Sequence, residues 1–180
     1  MTKFASHAAG TLPEMIISAW NTDNRVTTFL VENLSRELLL STIPGTTRRT
    51  IGMVVCHIHN ARCTWVRMLG QEHGIVPPAK IDRHNVQHKQ LVAALNRSGR
   101  AVARLLLLGC ERDGRIPPSR SYVWRNLQLD MGHVFAYLVA HQAHHRGQIV
   151  LAARQLGHSL SPNISGGLWQ WRRRAKELSP

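Results

Sequence analysis

Apolar residues along this chain recur at helical spacing in four long stretches, separated by connections rich in proline and glycine. From about Pro13 to Thr42, Met15, Ile16, Ala19, Trp20, Val26, Phe29, Leu30 and Leu34 define one amphipathic face. Pro13 suits the first turn, where its missing N–H has no partner to lose. "IPGTT" ends this stretch, either directly or after a separate turn. The second, Thr50 to Leu69, carries Ile51, Val54, Val55, Ile58, Ala61, Trp65, Val66 and Leu69 and stops at Gly70. After the connection "GQEHGIVPPAK", Asp82 is the expected N-cap of a third helix that runs to about Leu108 and closes at Gly109. Another long connection, "CERDGRIPPSRSYVWRNLQLD", holds Pro117 and Pro118 and leaves room for a short extended piece around 122–127. Asp130 is the expected cap of a fourth helix, Met131 to Leu156, with Gly157 as its stop. "LWQWRRRAKEL" then forms a short terminal helix.

No strand alternates with these helices and no repeat is present. The expectation is an all-α protein: a four-helix bundle with long crossover connections and a short C-terminal helix. At 180 residues the chain fits one domain, 1–180, with the bundle at about 13–157 and a tail at 158–180. A hydrophobic fraction of 43% and a charged fraction of 18% are ordinary for a globular protein and argue against disorder. Apolar runs such as "VFAYLVA" fall far short of the roughly 20 residues that cross a bilayer, so no membrane partner is expected. "MTKFASHAAG" lacks the apolar segment of a secretory signal. Cys56, Cys63 and Cys110 form no CxxC pair, which fits free thiols in a reducing compartment. A cytoplasmic location is expected.

The fourth stretch poses the chemical question, because "HQAHHRGQ" places three histidines where aliphatic groups belong. His141 and His145, four residues apart, lie about 40° apart on one helical face, and such a pair can point two imidazole nitrogens at one ion. His144 is the rival partner. Val134, Leu138, Ile149 and Leu156 centre the apolar side nearer His145, which turns His141 and His145 inward with Gln148 a turn further on. A buried imidazole can also be satisfied by an ordinary hydrogen bond. The second stretch offers a third ligand in "CHIHNARC", but His57 and His59 flank its apolar stripe almost symmetrically, and periodicity does not choose between them. Cys56, His59 and Cys63 form a competing zinc-like set at i, i+3 and i+7. Their face points away from Ile51, Val54, Ile58 and Trp65 and is expected to be surface or a subunit interface.

"TIGMVVCHIHNARCTWVRML" followed much later by "HQAHHRGQI" resembles the DinB-like superfamily of metal-binding four-helix proteins. The resemblance runs over about residues 13–157, and its specific part is the HxxxHRGQ run. It implies His57, several residues before the aromatic Trp65, together with His141 and His145 as metal ligands. Three neutral imidazoles leave a coordination position open, as catalytic sites do, and suit zinc or nickel. The resemblance further implies chemistry with a low-molecular-weight thiol such as bacillithiol or mycothiol, activated at the metal, on a small-molecule substrate; a metal-bound water in its place would give a hydrolase. It also implies a homodimer.

Other residues carry two readings each. Gln148 lines the pocket or orients a ligand, or it is a polar residue bonded across the bundle. Arg146 holds an anionic substrate group or makes a structural ion pair. Asp23 and Asp130 are the carboxylates available to tune an imidazole. Trp20, Trp65 and Tyr137 are expected in the core, and Cys56 projects away from His57.

Charge adds one alternative. A formal net charge of +13 favours anionic partners. Arg97, Arg100 and Arg104 along the third helix, with "WQWRRRAK" at the end, suggest a nucleic-acid-binding or damage-response protein, although no recognised nucleic-acid module is present. A metal-stabilised interaction protein without turnover is the third possibility.

Overall fold

The structure is a computed structural model that describes residues 10–177. All of "MTKFASHAAG" but Gly10 lies outside the described residues, as does Leu178, the last residue of the expected terminal helix. Four long helices form the body: α1 (Leu12–Glu32), α3 (Ile51–Gly70), α4 (His88–Cys110) and α5 (Met131–Gln155). Short helices α2 (Arg36–Leu40), α6 (Pro162–Gly167) and α7 (Trp171–Lys176) occupy the connections and the tail. No strand is present among the described residues, only two isolated bridges, Thr42 with Thr50 and Arg115 with Asp130.

Two long helices start where side chains can cap them. The Thr50 hydroxyl accepts from Met53 N at 3.2 Å and the Asp130 carboxylate accepts from His133 N at 2.9 Å, each satisfying an N–H that the helix cannot. Gly157, with φ of 79°, takes the left-handed conformation that closes α5.

Three boundaries depart from expectation. The first stretch is two helices, because Ser35 restarts the chain by accepting from Leu38 N at 3.1 Å. Asp82 caps a turn by accepting from His84 N at 2.9 Å, and α4 starts only at His88. Gly109 stays inside α4, and Gly114, with φ of 81°, supplies the turn beyond it by donating to Gly109 O at 2.8 Å.

α1 packs against α4 and α5, and α3 packs against the same two helices. The interior is divided along the bundle axis. One apolar cluster holds Leu30, Ile51, Val54, Ile58, Leu91, Leu95 and Ile149; the other holds Trp20, Trp65, Leu69, Val102, Leu105 and Leu138. Between them each long helix contributes buried polar groups: Asp23, Asn24 and Thr27 from α1, Arg62 from α3, Ser98 from α4, and Gln142 and His145 from α5. The bundle therefore has a polar layer across its middle.

The tail folds back onto α1. Arg174 is 1% exposed, its guanidinium lies 3.9 Å from the centre of the Phe29 ring, and Nη2 pairs with Glu177 at 2.8 Å. Glu177 in turn accepts from Arg25 Nε at 2.8 Å. One arginine of "WQWRRRAK" is thus an internal brace, while Arg172, Arg173 and Trp169 remain exposed.

Candidate metal centre

α3 and α5 bring His57, His141 and His145 together at the level of the polar layer. One ligand nitrogen from each lies within 4.8 Å of the others. His141 Nε2 is 3.3 Å from His57 Nε2 and 3.2 Å from His145 Nε2. These separations fit one ion, since ligands at about 2.0–2.1 Å from a tetrahedral zinc stand about 3.3 Å apart. Hydrogen bonding alone fits less well. His145 Nδ1 lies 2.7 Å from Gln148 Oε1, an atom that only accepts, so Nδ1 carries the proton and Nε2 its lone pair. A proton on His141 Nε2 serves one neighbour and leaves the other contact without one. The three-histidine group is compatible with a divalent metal.

Burial grades the site from open to closed: His57 is exposed, His141 half-buried and His145 buried. Loss of hydration is the main cause that lowers all three imidazoles below their ordinary value, His141 to about 4. The neighbouring imidazoles add to this at His141, and the positive charge of Arg49 adds to it at His57 and His145. At neutral pH all three are uncharged and can donate lone pairs. The accessible side opens at His57 into a cavity of about 900 Å³ lined by Thr46, Arg49, Met53, Asn60 and Arg83 among others.

His59 goes elsewhere. Its Nε2 donates to Ala79 O at 3.0 Å, and it packs against Cys63, whose Sγ is 3.4 Å from the same nitrogen. Cys56, His59 and Cys63 are all buried, because the connection after α3 covers their face: Asn60 Nδ2 donates to Ile81 O and Ile81 N donates to Asn60 Oδ1, both at 2.9 Å. The expectation of a surface or subunit interface there is corrected. Burial also pushes the Cys63 thiol up to about 11, which makes it a poor nucleophile at neutral pH. The apolar neighbourhood of these cysteines is therefore no argument for a dimer.

Arg146 makes the structural ion pair. Nη2 lies 2.6 Å from Asp23 Oδ1, a charge contact without hydrogen-bond alignment, and Nη1 donates to the Thr27 hydroxyl at 2.8 Å. Asp23 also accepts from Gln142 Nε2 at 2.7 Å. Neither Asp23 nor Asp130 bonds to the three histidines; Asp130 accepts from His133 instead, at 2.6 Å from Nδ1. The group that orients an imidazole of the cluster is Gln148. His144 is exposed and stands outside the cluster.

The profile of the DinB family matches residues 7–173. The chain belongs to the DinB family. No curated protein matches it. The family match spans all four long helices together with α6 and the first half of α7, and it stops just before Arg174 and Glu177, which dock the tail on α1. No helix among the described residues is long and apolar enough to cross a membrane.

Sequence reasoning missed Arg62 and Gln142. Arg62 donates from Nη1 to Asn24 Oδ1 at 2.8 Å and to Leu95 O at 3.0 Å, and it lies 5.3 Å from the Trp20 ring centre. Burial pulls it down to about 9, opposed by Asp23, so it is charged at neutral pH. Its signal was present in the spacing, since Ile58, Arg62, Trp65 and Leu69 share one stripe.

Proposed function

We propose that this DinB-family chain is a metal-dependent enzyme in which His57, His141 and His145 hold one divalent cation, zinc or nickel, and leave a coordination position open. The observation that carries the reading is the convergence of three neutral imidazoles from α3 and α5 with a single orienting partner, Gln148. When bound, such a cation favours the deprotonated form of a thiol or water placed beside it and polarises a carbonyl. The favoured activity is thiol-dependent S-transfer, or a related transfer or hydrolysis, on a small molecule.

The chain's own residues have separable parts in this reading. Gln148 holds the Nδ1 proton of His145 and directs Nε2 inward. Burial of His145 and half-burial of His141 keep both imidazoles neutral and limit water on that side. The exposed edge of His57 admits substrate from the neighbouring cavity.

The test is consumption of a low-molecular-weight thiol, bacillithiol or mycothiol, in the presence of a chloro-aromatic electrophile. Zinc- or nickel-loaded protein is expected to accelerate thiol loss, and His141→Ala to abolish the acceleration. Equal rates with wild type, variant and buffer across both metals would overturn S-transfer as the activity.

A further inference from the structure

The cavity that opens at His57 has a composition of its own. Its floor is one stripe of α3, Met53, His57 and Asn60, and its walls are the loop before α3 and the segment at 83–84. Three arginines line it, Arg48, Arg49 and Arg83, and no acidic residue does. All three are exposed, and none has an ion-pair partner among the described residues. Arg49 also lines a second cavity of about 300 Å³, whose wall includes Gln148. One arginine therefore lines both the cavity of the floor residue His57 and that of the residue that orients His145.

Both walls are fixed by hydrogen bonds. Ile43 N donates to Arg49 O at 2.8 Å and Ile51 N donates to Ser41 O at 3.1 Å, which close the loop that carries Arg48 and Arg49. Arg83 sits two residues beyond Ile81, which is clamped to Asn60 of the floor by a reciprocal pair of hydrogen bonds. The guanidinium groups are thus presented from anchored backbone, and the positive end of the α3 dipole adds to their field. Guanidinium is the side chain best suited to grip carboxylate or phosphate oxygens in pairs.

We propose that this cavity binds a small molecule bearing at least two anionic groups, carboxylates or phosphates, which Arg49 and Arg83 grip from opposite walls while the rest of the ligand reaches His57. The inference deepens the enzymatic reading by giving its substrate a chemical class, and it rests on that reading for the ligand's approach to the histidines. Anion capture itself belongs to the arginines, so it is measurable without metal.

The experiment is titration calorimetry of the full chain, metal-free and zinc-loaded, with succinate, inorganic phosphate and pyrophosphate, and with acetate and succinamide as singly charged and neutral controls. Succinate or pyrophosphate is expected to bind about tenfold more tightly than its one-group counterpart, acetate or inorganic phosphate, and the stronger of the two tells carboxylate from phosphate. Arg49→Gln and Arg83→Gln should each weaken that ligand about tenfold, whereas Arg104→Gln on the outer face of α4 should leave it unchanged. Helical circular dichroism confirms that each variant is folded. Equal binding of dianion, acetate and succinamide would overturn the proposal, as would equal weakening by Arg104→Gln. Dianion selectivity in metal-free protein that fails to take up zinc would support the anion site while removing the metal reading.

Discussion

Gln148 decides which nitrogen of His145 is free. Its Oε1 accepts the Nδ1 proton at 2.7 Å, which leaves Nε2 to face His141. Gln148→Ala should therefore weaken zinc binding about 10–100-fold with little change in fold, as competition with a chromophoric chelator would show. Unchanged affinity would mean that the cluster does not need an oriented His145. Protonation is the other control at this scale. All three imidazoles titrate below their ordinary 6.5 in the folded chain, burial being the chief cause, and His141 does so at about 4. The unfolded chain thus takes up protons first as pH falls. Their contribution to stability is complete above 6.5 and is lost as pH drops through the folded values toward about 4. Urea melts of metal-free protein should show stability declining over that window, and a variant with all three histidines replaced by alanine should show a smaller decline. The metal-loaded protein should keep its ion at pH 6 and release it nearer pH 4.

At the scale of helices, the polar layer ties the site to the bundle. Asp23 is fully buried and receives Arg146 and Gln142 from α5, while its charge also opposes the burial cost of Arg62 on α3. Asp23→Ala leaves the buried Arg62 and the half-buried Arg146 without their counter-charge and should cost about 3–5 kcal/mol, read as a lower urea midpoint. Recovery of wild-type stability in Asp23→Ala would show that the layer is not electrostatically coupled. Much of α5 was legible beforehand, because Asp130, Gly157 and the histidine spacing are local signals and the structure realises each in place. The choice between His57 and His59 was not legible from periodicity. It depends on Ala79 and Ile81, distant residues that cover one side of α3 and leave the other open. The break at Ser35 and the late start of α4 escaped for a related reason. Ser35 and Asp82 are both good caps, and only tertiary packing decides whether a cap opens a long helix, a short one or a turn.

Across the whole molecule, the net charge of +13 is distributed unevenly in its meaning. Arg62, Arg146 and Arg174 are committed to buried contacts, and Arg97, Arg100 and Arg104 lie exposed along α4. Arg48, Arg49 and Arg83 surround the cavity beside His57. The surplus thus has an internal use and a local use near the histidines before any extended nucleic-acid surface is required. The account stands on one point, that α3 and α5 together hold a single ion. Elemental analysis of protein purified without a histidine tag, wild type against His141→Ala, tests it most directly. One zinc or nickel per wild-type chain, lost from a variant with unchanged helical content, is the predicted result. No metal in the wild type after incubation with zinc or nickel, or full retention in the variant, would contradict it.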